Sequence, residues 1–144
     1  MNEVVAVGGR MGPPRERWLS PPCKVTPGRS PGRGRGLFAV QPIAAGELIE
    51  LACTAEISAE QCLALDRMPP LGDHYFAHPE DERRGLMLFG LVSLANHAEP
   101  ANAAVRFAHS SALGWLSELI ALVAIPAGDE VTHRYWCPPW FDVR

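Results

Sequence analysis

The sequence predicts a mostly β domain, β-rich within the α+β class, and three observations lead there. Gly 13 and Pro 14 among 144 residues cut the chain into short elements joined by turns, which leaves no stretch for a bundle of long helices. Apolar runs of strand length, Ala103 to Ala108 and Leu116 to Ala124, lie near the C-terminal end, and the second is continuous enough to be buried on both faces. Two stretches echo one another, Phe38 to Ile49 and Leu122 to Val131, and each reads as strand, tight turn, strand.

In chain order, residues 8–34 are rich in Gly, Pro and Arg, with Pro13-Pro14, Pro21-Pro22, Gly28 and Gly32, and show no strand or helix periodicity. They are expected to be arm or loop. Residues 1–22 are read as an N-terminal arm that Trp18 packs onto the domain, and Cys23-Lys24-Val25-Thr26 as a short edge strand. In the second echoed stretch, Pro126 and Gly128 suit the second and last positions of a type I turn, proline fixing φ and glycine releasing the chain. Ser58-Ala59-Glu60-Gln61 is a capping box, in which the serine hydroxyl takes an exposed amide and the glutamine reaches back. A short helix from Ala59 to Arg67 is expected after it, stopped by Pro69-Pro70. Glu80-Asp81-Glu82-Arg83-Arg84 reads as a solvated loop. The domain is expected over residues 23–136, followed by an aromatic tail, 137–144.

A chain of 15.7 kDa fits one domain that buries about two-thirds of its unfolded surface. A net charge of -3 and a pI near 5.9 give no global attraction to phosphate backbones. Cys23, Cys53, Cys62 and Cys137 have neither the paired spacing of zinc knuckles nor the density of a disulfide scaffold. That usage points to a reducing, cytoplasmic setting. Met1-Asn2-Glu3 opens on an acid where a secretory signal is basic, and the most apolar stretch, Leu86 to Ala95, is interrupted by Gly90 and Ser93 and is too short for a membrane span. A soluble protein is expected, monomer or homodimer.

Several familiar chemistries find no support. Gly34-Arg35-Gly36 lacks the third glycine and the following helix of a dinucleotide turn. Arg29, Arg33 and Arg35 lack the aromatic platforms of a nucleic-acid site; only Phe38 is near. His74 and His78 stand four apart without a third ligand, so no metal is expected. Ser93, in Leu91-Val92-Ser93-Leu94, lacks the glycines of a nucleophile elbow.

Three segments in order remain: Gly34-Arg35-Gly36-Leu37-Phe38-Ala39, Asn96-His97-Ala98-Glu99-Pro100-Ala101-Asn102 and Glu130-Val131-Thr132-His133-Arg134-Tyr135. Their order and spacing resemble the signature stretches of SET-domain protein-lysine methyltransferases, in the compact stand-alone form of bacterial and viral members. The resemblance implies several small curved sheets, short helices and a C-terminal pseudoknot. It also implies S-adenosylmethionine as cofactor, held by Arg35, Gly36, Leu37, Asn96, His97, Tyr135 and a tail residue, Trp140. Asn96 would meet the amino-acid end, His97 the adenine through its backbone, and Asn102 would support the knot. Tyr135 would be the catalytic residue, aiming its hydroxyl at the methyl group and the incoming amine. Tyr75, Phe76, His133, Trp136 and Phe141 would line the lysine channel.

The chain departs from the family pattern at Ala98, Ala101 and His133, the last standing where the family has Tyr or Phe. The family's zinc-bound cysteine tail is absent, since only Cys137 is present and Glu99 stands at the cysteine position. The implied function is S-adenosylmethionine-dependent methylation of a lysine on a protein substrate. The alternative is a degenerate SET fold that binds a protein or peptide without catalysis.

Overall fold

The structure is a computed structural model and describes residues 19–134. Among the described residues nine strands carry the fold: β1 (Val25–Ser30), β2 (Gly34–Ala39), β3 (Leu48–Ile57), β4 (Tyr75–Ala77), β5 (Gly85–Leu88), β6 (Asn96–His97), β7 (Ala103–Ser110), β8 (Gly114–Ala121) and β9 (Glu130–His133), with one α-helix, α1 (Ala59–Leu65), and two short 3-10 turns, Leu71–Asp73 and Leu91–Leu94. One sheet runs β1-β2-β9-β6 and the other β4-β5-β3-β8-β7. Leu37, Leu86, Val92, Leu119 and Val131 from both sheets and the intervening chain share a single core with Ile43 and Ile125. Each such side chain contributes about 1.5–3 kcal/mol on burial.

The echoed stretches pair with each other. Ile43 and Ile125 exchange two backbone hydrogen bonds of 2.9 Å, Gly46 N–H donates to Ala121 C=O at 2.8 Å, and Gly128 N–H to Ala39 C=O at 2.7 Å. Each of these bonds thus has its equivalent from the other stretch, which makes the repeat a local two-fold. The turns are also alike, closed by Glu47 N–H to Ala44 C=O and by Asp129 N–H to Pro126 C=O. Gly46 and Gly128 lie at φ +80° and +91°, so each is the third residue of a type II turn, where only glycine sits without strain. The expected type I turn is therefore replaced: Pro126 is first in the turn rather than second.

Other boundaries move as well. The capping box forms as expected, with Gln61 N–H donating to Ser58 Oγ and Ser58 N–H to Gln61 Oε1, but α1 stops at Leu65, short of Arg67. β8 stops at Ala121, and Leu122 and Val123 are exposed. The hairpin of β1 and β2 occupies residues that composition assigns to a loop. Pro27 and Gly28 belong to β1, an edge strand of its sheet, where a missing N–H is tolerated. A bulge between Leu48 and Glu50 breaks the β3–β8 register. It turns Ile49 and Glu50 both inward.

Candidate functional site

β9 lies between β2 and β6, antiparallel to the first and parallel to the second. That insertion brings the three signature segments together. The chain reaching β6 is pinned first: the Glu50 carboxylate, turned inward by the bulge, accepts from Leu91 N–H at 2.8 Å and Val92 N–H at 2.9 Å. Gly90 leaves room for it, since a Cβ there would be 2.5 Å from Glu50 Oε1.

Beyond that anchor, Asn96 Nδ2 donates to Arg35 C=O at 2.9 Å and to Glu130 Oε1 at 2.7 Å. Glu130 Oε2 accepts from Ser30 Oγ at 3.0 Å, and Ser30 is buried. Gly36 is required by proximity rather than by backbone conformation. A Cβ on it would collide with Glu130 Oε1 and come within 2.9 Å of Asn96 Nδ2. Asn102 clamps β9 from the other end, its Oδ1 accepting from Thr132 N–H at 2.8 Å and its Nδ2 donating to Glu130 C=O at 2.8 Å. An amide side chain thereby replaces a pairing strand. Arg33 Nη1 donates to His97 C=O at 2.9 Å and ties the hairpin loop to β6.

On the opposite face of β9, His133 is buried with its ring centroid 5.6 Å from that of Phe76, which meets Phe107 edge-on at 6.1 Å. Burial pushes the His133 imidazole down to about 4, outweighing the carbonyls of Arg134 and Ala95 that favour its protonated form, while the nearby His97 adds to the lowering. His133 is neutral near pH 7.

The expected site residues divide three ways. Arg35, Gly36, Asn96 and His97 come together, and Phe76 joins His133 across β9. Leu37 lies next to Gly36, but its side chain is fully buried in the core against Val131, its partner in the β2–β9 register. That side chain is core rather than cofactor wall. Tyr75 alternates to the other face of β4, where its hydroxyl donates to Asp66 Oδ1 at 2.6 Å. Burial and the Asp66 carboxylate raise its pKa well above the ordinary tyrosine value, so Tyr75 braces α1 rather than joining Phe76. Tyr135, Trp136, Trp140 and Phe141 lie outside the described residues, as does Trp18.

Ser30, Arg33 and Glu130 complete the cluster; Glu130 opens the third signature segment, but none of the three carries an expected role there. Their partners lie 34 to 100 positions away, so no local pattern announces these contacts. Among the described residues no group of three or more His, Cys, Asp or Glu is placed to hold a metal. No helix there is long and apolar enough to cross a membrane. A groove of about 310 Å³ is lined by Leu19 to Pro22 with Glu50 to Cys53, Phe89 and Leu113, and contains none of the signature residues.

The family model described as SET domain matches residues 34–136. Among solved structures, a Plasmodium falciparum protein described as a candidate histone methyltransferase is similar at 23% identity and TM-score 0.62, over 81% of this chain and 96% of that one. Chaetomium thermophilum polycomb repressive complex 2, in an autoinhibited conformation bound to S-adenosylmethionine, is similar at 22% identity and TM-score 0.68 over 81% of this chain. A humanized mutant of that complex, bound to an inhibitor, gives 22% and 0.65. This chain covers 15% of the matched chain in each of those two complexes. No curated protein sequence matches.

Proposed function

The chain belongs to the SET-domain family, and from that membership we propose that it is an S-adenosylmethionine-dependent methyltransferase acting on lysine side chains of a protein substrate. In this reading residues 23–136 form the domain and 137–144 close the site. The observation that carries it is the convergence of Gly36, Asn96 and Glu130, from three distant segments, on one face of a four-stranded sheet.

S-adenosylmethionine is the methyl donor of this family, and the donor set present suits its amino-acid end. Asn96 has both amide hydrogens committed inward, to Arg35 C=O and Glu130, and offers its carbonyl oxygen to an ammonium. The exposed Arg35 guanidinium supplies positive charge for a carboxylate. With His97 assigned to the adenine, the bond that its carbonyl accepts from Arg33 supports a place for Arg33 on that side. Bound there, the cofactor supplies a methyl group already activated by its sulfonium, so the residues have alignment rather than acid–base chemistry to provide.

An amine with an ordinary pKa near 10.4 has to enter the site uncharged. In the wall that Phe76 and His133 form, the histidine is buried and the phenylalanine partly so, and the imidazole is neutral near pH 7; low polarity without added carboxylate charge disfavours an ammonium. Tyr135 is assigned the hydroxyl that orients the amine. Calorimetry and thermal melting test the reading: cofactor at 100 times its dissociation constant adds about 2.7 kcal/mol of stability, and Asn96→Ala should remove most of the resulting rise in Tm. An unmoved native melting point, or a full rise in the variant, counts against it.

A further inference from the structure

We infer that Glu130 is a positioning residue that fixes which end of the Asn96 amide faces outward and so makes the site selective for a ligand bearing an ammonium group; this rests on reading Asn96 as the contact to the amino-acid end of the cofactor. An asparagine side chain ends in a donor and an acceptor of similar size, and a half-turn exchanges them at little steric cost. What decides the orientation is what the inner end meets. At Asn96 it meets two groups that only accept: the Arg35 carbonyl at 2.9 Å and Glu130 Oε1 at 2.7 Å. Turning the amide would press its oxygen against two other oxygens.

The carboxylate cannot easily move aside, because Ser30 Oγ holds its second oxygen at 3.0 Å. Gly36 leaves the space Oε1 occupies, and Asn102 Nδ2 bonds the Glu130 carbonyl and so fixes the backbone beneath it. The Asn96 carbonyl oxygen, by contrast, has no hydrogen bond among the described residues. It is left as an acceptor for a ligand donor. A carboxylate held inside the protein thereby sets the sign of the contact that Asn96 makes outside it.

The experiment compares two probes by calorimetry, S-adenosylhomocysteine and its analogue lacking the α-amino group. Native protein should bind the analogue about tenfold or more weakly, as expected when a hydrogen bond to a charged group is lost. In Glu130→Ala that ratio should shrink below about threefold. Glu130→Gln should keep it, since its amide oxygen can still accept from Asn96 while its nitrogen donates to Ser30 Oγ. A Glu130→Ala protein that binds both probes more weakly by one common factor, ratio intact, overturns the inference and leaves the cofactor reading standing. Native protein that binds neither probe removes the cofactor reading, and the selectivity with it. Should Glu130→Ala not fold, the Asn96 side-chain amide protons of the native protein decide by NMR: exchange at least tenfold slower than in an exposed asparagine supports the clamp, and exchange at the exposed rate overturns it.

Discussion

Acidification from pH 7 to pH 5 should destabilise the fold through one residue, His133. Its imidazole sits at about 4 in the folded chain against 6.5 when solvated, because burial penalises the charged ring. A group depressed in this way leaves stability intact above its unfolded pKa and lowers it as pH falls toward the folded value. At pH 5 nearly every unfolded chain carries the proton and about one folded chain in ten does, which costs the fold about 2 kcal/mol relative to pH 7. For a domain of this size that is a fall of about 6 °C in Tm. Urea melts at the two pH values, run on native protein and on His133→Phe, isolate the effect, because phenylalanine keeps a ring beside Phe76 and cannot protonate. Glu47 beside Lys24 and Asp81 beside Arg83, held below the usual carboxylate values by those partners, titrate under this window in both proteins and cancel. Equal losses in the two proteins would refute the assignment of the acid sensitivity to His133.

Asn102→Ala should lower stability by about 2–4 kcal/mol, since it strands the Thr132 N–H and the Glu130 C=O that the side chain now serves; a shift in urea midpoint worth less than about 1 kcal/mol would mean water replaces the clamp. On the methyltransferase reading, His133 leaves more space than the family's Tyr or Phe, so native protein should place at least two methyl groups on a good peptide and His133→Tyr should push it toward one, read by mass spectrometry. Tyr135→Phe should cost about 100-fold or more in rate with cofactor binding retained, as for a group used mainly in the transition state. Purely mono-methylated native product, or full activity in Tyr135→Phe, would sink the respective assignment.

What the sequence made legible is what it encodes locally. The cap of α1 could be read because Ser58 and Gln61 satisfy each other within one turn. The turn at Pro126 is not decided locally, because its residues suit two turn types, and the choice falls to the reciprocal pairing of Ile125 with Ile43. Only the start of β1, Val25 and Thr26, is legible as an edge strand; its continuation through Pro27, Gly28 and Arg29 has no periodicity. Its regularity comes from β2, whose Phe38 ring lies over Gly28 so closely that a Cβ there would sit 2.8 Å from the ring. The signature segments could be placed only by resemblance. Composition and periodicity say nothing about a carboxylate whose partners, Ser30 and Asn96, are remote in sequence.

The two halves of the site are held together by the alternation of a single four-residue strand. Glu130 and Thr132 turn to one face of β9, toward Asn96 and Asn102; Val131 and His133 turn to the other, into the core and onto Phe76. Side chains in a strand repeat every second residue, so a slip of one position would send the carboxylate into the core and Val131 into the polar cluster. Two short ladders do little to prevent that, because β2 and β6 each pair with β9 over only two residues. Asn102 does more, since its amide holds the Glu130 C=O and the Thr132 N–H, which point to the same edge of β9, and a slip of one residue would turn both away from it. Asn102, which bonds the Glu130 backbone from beside the Asn96 cluster and has no contact with the Phe76 wall, is therefore the residue that keeps each on its own side.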